Sequence, residues 1–265
     1  MAGARSFVIT KEISSGQNRK KKDRMYNQQT RQNYGRASKG SRLHLQDYIN
    51  YYPEYLNCLI LSSSYSLSSY AANHPKWISP LAKKNYAEYK DKKFLDAIGY
   101  SQISNTLDEF WPSGGPVWDA LAKIEGRDGS NGVILLEAKS HIGELKGQGC
   151  RAIPNTRGKI EQSLTVTKKE LGVREDIDWT GEFYQYANRL AHLYFLNIKE
   201  KIPTWLVFLY FIKDIEQGGP TTVAEWINTL DETKKKLGLP KQHILDTQII
   251  SVFAPAFRKN KNSDS

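Results

Sequence analysis

The chain has 265 residues, of which 39% are hydrophobic and 25% charged, with a formal net charge of +10 at pH 7. This length fits one domain with appendages and supplies enough apolar residues for a core. No apolar run approaches the ~20 residues of a membrane span, and the start lacks a hydrophobic region with a cleavage site, so we expect neither a membrane partner nor a signal peptide.

Positive charge is concentrated at the N-terminus. Residues 1–42 hold eleven Lys and Arg against two acidic residues, whereas the rest of the chain has 27 basic and 26 acidic residues. The segment is rich in Gln, Asn, Ser and Gly, so we expect a disordered arm that raises affinity for DNA or RNA by neutralising phosphates. The alternative is a solvated leader, or a true start at Met25.

Residues 43–106 are predicted to form a helical extension. Its predicted elements, in chain order, are a helix over 43–64 that breaks near Pro53, a connector over 62–69, a helix over 82–98, and a helical turn over 105–110. The only cysteines of the chain, Cys58 and Cys150, have no partner at zinc spacing, which favours a reducing, cytoplasmic location.

Two apolar strands follow the extension. Residues 117–124 and 132–139 flank a segment with Asp-Gly and Asn-Gly dipeptides, which favour hairpin turns. Both faces of the second strand are apolar at its start, which indicates a central strand covered on both sides. Folding the hairpin back near Asp128 sets Asp119 opposite Glu137, within one residue.

Three charged residues interrupt these strands, namely Asp119, Glu137 and Lys139. Unpaired buried charge is costly, and a divalent cation would offset that cost. Mg²⁺ prefers oxygen ligands, which Asp119, Glu137 and the backbone carbonyl of Ala138 would supply, and Mn²⁺ could substitute for it. The alternative is a buried salt bridge from Lys139 to either carboxylate in an ordinary α/β core.

This pattern resembles the PD-(D/E)XK nuclease superfamily, in which an Asp on one strand precedes an acidic-x-Lys triplet at the end of the next. Here Asp119 matches the Asp, Glu137-Ala138-Lys139 matches the triplet, and Glu109 matches a Glu often found on a preceding helix. The similarity covers residues 107–214 and extends to bacterial proteins of uncharacterised function assigned to that superfamily. Pro116 stands three residues before Asp119, whereas the motif has it adjacent.

The resemblance implies a restriction-endonuclease-like core. It also implies hydrolysis of phosphodiester bonds by a water that Mg²⁺ activates, with DNA expected as the substrate in preference to RNA. Lys139 would orient that water or stabilise charge in the transition state. Glu109 would hold a second metal or a metal-bound water.

The helix predicted over residues 180–197 has a polar side opposite an apolar stripe. By the resemblance, Gln185 and Arg189 on this side would contact the substrate phosphate or the metal-bound water. A plain solvated face, or polar groups satisfied by packing, is the alternative, and His192 is interpreted as structural. His141, just after the triplet, is a further candidate for substrate contact.

The remaining elements complete an α/β pattern, which predicts a mixed central β-sheet flanked by helices within a core at 107–258. They are a connector over 143–157, a helix over 159–171, a strand over 204–212, a helix over 221–237, an edge strand over 247–253 and a polar tail over 259–265.

The sequence therefore predicts a Mg²⁺-dependent nuclease. One alternative is a catalytically inactive nucleic-acid-binding or interaction protein that keeps the nuclease-like fold. Another is a metal-dependent phosphohydrolase acting on small nucleotides, which the near-neutral charge of the body favours because a small substrate needs no long basic groove.

Overall fold

Five β-strands in sequential order form the centre of the fold. In the computed structural model, which describes residues 35–257, they are β1 (Lys76–Ser79), β2 (Ala120–Glu125), β3 (Asn131–Lys139), β4 (Thr204–Ile212) and β5 (Ile249–Pro255). Pairing is antiparallel from β1 to β3 and parallel from β3 to β5. The predicted mixed sheet of an α/β protein is thus confirmed.

The two central strands are buried on both faces because their side chains are almost all apolar. Every residue of β4 except Ile212 is buried, as expected for a parallel strand covered on both sides. The turn between β2 and β3 is closed by Asp128, whose Oδ1 accepts a hydrogen bond from the N–H of Ser130 at 2.9 Å. The predicted hairpin is therefore present.

Three helices cover one face of the sheet, namely α1 (Gly40–Tyr51), α2 (Pro53–Ser62) and α3 (Tyr65–Tyr70). Their apolar residues, including Leu45, Leu56 and Leu67, pack against the alternate residues of β3 that include Ile134 and Leu136. The break between α1 and α2 falls at Pro53, which begins α2 as predicted because a helix accepts proline in its first turn.

Five helices cover the opposite face, where Val133 and Leu135 of β3 and Leu121 of β2 are buried. They are α4 (Asp91–Ile98), α5 (Ser104–Phe110), α6 (Pro154–Glu170), α7 (Tyr184–Tyr194), which continues as a π-turn over Phe195–Lys199, and α8 (Val223–Lys236). Side chains alternate along a strand, so Glu137 and Lys139 lie on this second face, at the end of β3.

The helix predicted over residues 82–98 is wrong in its first half. A 3₁₀ turn, Ala82–Lys84, is followed by Asn85 and Tyr86 with φ of 52° and 55°, a conformation that no α-helix contains. The chain then runs extended, and Tyr89 forms an antiparallel bridge to Trp118 before α4 begins. The short strand β1, which the sequence analysis missed, lies at the sheet edge beside β2.

Most of the predicted basic arm, residues 1–34, lies outside the described residues, as does the tail from residue 258. The end of the arm is structured: α1 begins within it, Arg36 pairs with Asp47, and Arg42 pairs with Glu88. No helix among residues 35–257 is long and apolar enough to cross a membrane.

Candidate active site

Asp119 and Glu137 lie side by side on one face of the sheet. Asp119 directly precedes β2, and the register that pairs Ala120 with Leu136 places it beside Glu137. The N–H of Ala138 donates a hydrogen bond to Oδ2 of Asp119 at 2.8 Å, which fixes that carboxyl against the end of β3. The structure thus brings together the two carboxylates that the sequence singled out.

Glu137 is enclosed by two cations. Lys139 donates from Nζ to Oε1 at 2.7 Å, and Arg189 donates from Nε to Oε2 at 2.8 Å. The side chains of Glu137 and Arg189 are only 6% and 7% exposed. Burial opposes ionisation of Glu137, but the charges of Arg189 and Lys139 outweigh it and lower the pKa of the carboxyl. Glu137 is therefore held as a carboxylate.

Asp119 has the opposite electrostatic character. Burial, followed by repulsion from Glu137, raises the pKa of Asp119 to about 8. Within the described part of the chain no basic side chain forms an ion pair with it, and Lys139 pairs with Glu137 instead. Burial and the neighbouring carboxylate thus favour the protonated form of Asp119 near neutral pH, while both cations of the site, Lys139 and Arg189, pair with Glu137.

Arg189, for which the resemblance predicted contact with the substrate phosphate or the metal-bound water, is buried and pairs with Glu137. Its Nη2 donates to the carbonyl oxygen of Val117 at 3.0 Å, its Nη1 donates to Oδ1 of Asn188 at 2.8 Å, and its guanidinium carbon lies 4.9 Å from the centre of the Trp118 ring. At Arg189 the polar side of α7 is thus turned inward to Glu137, as the alternative of polar groups satisfied by packing predicted, and not toward solvent.

Gln185 is the exposed member of the polar side of α7, and its Oε1 lies 3.3 Å from Nζ of Lys139. It therefore stands at the rim of the site, where it can meet a substrate. His192, by contrast, is buried among aromatic rings, and its Nδ1 lies 2.8 Å from the carbonyl oxygen of Asn188. Burial lowers the pKa of His192 to about 3, so this imidazole is neutral.

Glu88 is an acid of the site that the sequence analysis missed. The bridge between Tyr89 and Trp118 puts Glu88 next to Asp119, on the side away from Glu137. Its Oε1 accepts from Nε of Arg42 at 2.5 Å, and burial nevertheless raises its pKa. No local motif marks Glu88, because only the tertiary bridge brings it to Asp119.

Two predicted residues lie away from the carboxylates. Glu109 is exposed on α5 and does not line the cleft that contains Asp119. His141 is also absent from that lining, and its Nε2 lies 3.3 Å from Oε1 of Glu144. Glu144 itself lines the cleft and accepts a hydrogen bond from Oγ of Ser41 at 3.1 Å, so the start of α1 reaches the site.

The charged residues open into a cleft of about 620 Å³. Its lining includes Arg151, an exposed side chain for which no ion pair is formed within residues 35–257. An unpaired guanidinium beside carboxylates suits a phosphate group, because arginine binds phosphate oxygens bidentately. Apart from Arg151, the charged residues of this lining are Glu88, Asp119, Glu137, Lys139, Glu144 and Arg189.

The donor set suits Mg²⁺ without forming a ready cage. Residues 35–257 contain no group of three or more His, Cys, Asp or Glu side chains placed to hold a metal ion. Mg²⁺ does not require one, since it is commonly held by one or two carboxylates while waters and substrate phosphates complete its octahedron. Asp119, which has a raised pKa and forms no ion pair within residues 35–257, and Glu137 meet that requirement, with Glu88 beside them.

Comparison of the chain with protein-family models, with curated proteins and with solved structures gave no match in any of the three.

Proposed function

We propose that the protein is a metal-dependent nuclease of the PD-(D/E)XK type that hydrolyses phosphodiester bonds in DNA. The observation that carries the proposal is the pairing of Asp119 and Glu137 on one sheet face, with Lys139 between Glu137 and the cleft. A protein that only bound nucleic acid would have no need of a second carboxyl, Asp119, buried beside the Lys139–Glu137 pair.

Asp119 and Glu137 would hold the cation, and the backbone carbonyl of Ala138 would add an oxygen ligand. The bound Mg²⁺ would supply Lewis-acid activation of a water molecule. Lys139 sits at the cleft surface, 12% exposed, and would place its ammonium against that water or the scissile phosphate. Arg151 would bind a phosphate oxygen, and Gln185 would donate or accept a hydrogen bond at the rim.

Arg189 would act as a positioning residue. Its contacts with Glu137, Asn188 and Val117 occupy the guanidinium and hold it against Glu137 at the wall of the cleft. It keeps Glu137 ionised and fixes its rotamer, and a preorganised carboxylate is what a hard cation needs. Arg42 would play the same part for Glu88.

The test is incubation of the protein with supercoiled plasmid, linear duplex and single-stranded DNA, in Mg²⁺, in Mn²⁺ and in EDTA. Cleavage that requires the metal and is abolished by Lys139→Ala supports the proposal. Lys146→Ala is the matched control, because Lys146 pairs with Glu182 and lies outside the lining of the cleft. Equal cleavage by both variants would overturn the assignment.

A second candidate is a metal-dependent phosphohydrolase acting on small nucleotides. The volume of the cleft, about 620 Å³, is in the range of small-molecule sites and favours this reading. Release of phosphate or pyrophosphate from nucleoside triphosphates, without cleavage of any polynucleotide, would select it over the nuclease.

We also propose a cytoplasmic location. Within the described chain Cys58 is exposed and Cys150 buried, and both are free thiols. Free thiols of this kind are typical of a reducing compartment.

A further inference from the structure

A tyrosine-rich surface lies at the C-terminal end of α1, the helix whose first turn reaches the cleft. Tyr51, Tyr52 and Tyr55, at the junction of α1 and α2, are 60%, 51% and 48% exposed. We define this group, together with Arg36 and Tyr86, as the tyrosine platform. Large exposed aromatic side chains in a contiguous group mark an interaction surface, because burial would otherwise be favourable.

The rings of the platform are held in place by their neighbours. Tyr52 packs against Phe257 with ring centres 4.8 Å apart, and Tyr55 stacks on the buried Tyr48 at 5.9 Å. The rings are therefore ordered in advance of binding while their outer faces stay open to solvent. A ligand that stacks on them loses little side-chain entropy on the protein side.

A cation is built into the platform. The guanidinium carbon of Arg36 lies 5.7 Å from the ring centres of both Tyr51 and Tyr86, so one arginine bridges two tyrosines. Arg36 also pairs with Asp47, which fixes its orientation. Planar rings with a guanidinium between them match a ligand that has both stackable rings and negative charge.

Both basic ends of the chain join the described structure at this surface. Residues 1–34, which contain eight Lys and Arg against two acids, lead into Gly35 beside Arg36. Residues 258–265, with three Lys and Arg against one acid, follow Phe257, which packs under Tyr52. The positive charge of the sequence is thus attached next to the exposed rings, which selects a polyanion as the partner.

We propose that the tyrosine platform binds single-stranded nucleic acid, with bases stacked on Tyr51 and Tyr52 and phosphates near Arg36. Unpaired bases are needed because a duplex keeps its π-faces inside the stack. α1 connects the platform to the cleft: Ser41 lines the cleft and Tyr51 ends the same helix, about 15 Å further along its axis at 1.5 Å per residue. The inference concerns binding, so it stands apart from the nuclease proposal.

The experiment measures fluorescence anisotropy of a labelled single-stranded DNA of about 20 nucleotides, longer than one typical aromatic binding site. The full-length protein is titrated in EDTA, so that cleavage cannot affect the result. Tyr51→Ala is compared with Tyr65→Ala, a matched control, because Tyr65 is the most exposed tyrosine described, at 88%, and lies outside the platform. Thermal melting checks that both variants fold.

We expect Tyr51→Ala to weaken binding at least about fivefold, as loss of one base–aromatic stack does, and Tyr51→Phe to retain it. The difference in affinity between Tyr51→Ala and Tyr65→Ala should persist at high salt. Salt weakens the attraction between basic side chains and phosphates, whereas it does not screen stacking. Equal affinities for Tyr51→Ala and Tyr65→Ala would overturn the proposal. So would equal binding of the same sequence as a duplex, or binding of phosphatidylserine vesicles without any binding of the oligonucleotide.

Discussion

The main-chain bridge between Tyr89 and Trp118 extends the row of carboxylates by one residue. Trp118 donates its N–H to the carbonyl oxygen of Tyr89 at 3.0 Å. Because the bridge is antiparallel, Asp119, which follows Trp118, lies beside Glu88, which precedes Tyr89. Glu88, Asp119 and Glu137 thus stand on three adjacent backbone segments, and the electrostatics of each acid depends on the others.

Glu88 and Glu109 can be told apart by matched substitutions. We expect Glu88→Gln to lower metal-dependent activity about 10- to 100-fold, as loss of a group supporting a metal ligand does. Glu109→Gln should leave the activity unchanged, because this side chain is exposed on α5 outside the cleft. Initial rates at several Mg²⁺ concentrations measure both. The reverse result would restore the role that the sequence predicted for Glu109.

The two strand carboxylates should differ in their effect on stability. In EDTA at pH 7, Glu137→Gln should lower the free energy of unfolding by about 3–5 kcal/mol, because it leaves the buried Arg189 without its carboxylate. Asp119→Asn should be at least as stable as the wild type. The pKa of Asp119 is about 8, so the folded protein retains a proton that the unfolded chain releases, and the contribution of this group to stability falls as the pH rises from about 4 to 8, a slope that Asp119→Asn should remove.

Urea denaturation of the two variants measures this contrast, and the wild type is repeated at pH 5 and pH 8. If Asp119→Asn proves as damaging as Glu137→Gln, then Asp119 is a paired carboxylate in solution and the assigned electrostatics is wrong.

His192 should make the protein sensitive to mild acid. Its pKa is about 3 in the folded protein and about 6.5 when unfolded, so the unfolded chain takes up the proton first. The contribution of neutral His192 to stability is complete above pH 6.5 and falls as the pH drops, by up to about 1.4 kcal/mol per pH unit. The stability of His192→Phe relative to the wild type should therefore rise as the pH falls from 6.5 to 4.5, because the variant lacks this contribution while that of Asp119 is common to both. His74→Gln, at an exposed position, should keep the wild-type slope.

Arg151 should contribute to substrate affinity through phosphate. Arg151→Ala is expected to raise KM with little change in kcat, and to reduce the slope of log affinity against log salt by about 0.9 on duplex DNA. Arg174→Ala is the control, because Arg174 is 78% exposed, pairs with Asp176 and lies away from the cleft. An identical salt dependence for both variants would show that the Arg151 guanidinium does not contact phosphate.

Much of the sheet could be predicted from sequence because its strands are long apolar runs. Thr204–Ile212 is a continuous apolar run that fits a central strand. The turn dipeptides after β2 predicted the hairpin register within one residue, and the observed pairing of Ala120 with Leu136 sets Asp119 beside Glu137. The strand β1 was missed because its four residues give too short a pattern. The segment before α4 was taken for helix because helical periodicity does not reveal the positive φ of Asn85 and Tyr86.

The candidate site was predictable only where charge interrupts an apolar strand. Asp119, Glu137 and Lys139 stand out for that reason. The pairing of Arg189 with Glu137 could not be predicted, because a polar helix stripe looks the same whether it faces solvent or a buried carboxylate. Glu88 could not be found, because its proximity to Asp119 depends on a tertiary bridge between residues far apart in the chain.

The sequential order of the sheet also determines how the protein can assemble on the ribosome. Each strand pairs with the one synthesised just before it, so the sheet can grow by addition at one edge. The neutralisation of Glu137 does not follow that order, because Arg189 emerges only with α7, well after the β2–β3 hairpin. A nascent chain that ends before α7 therefore carries a carboxylate destined for burial whose guanidinium partner has not yet been made. Within the β2–β3 hairpin, the end that holds Glu137 should be the last part to become protected from hydrogen exchange during synthesis.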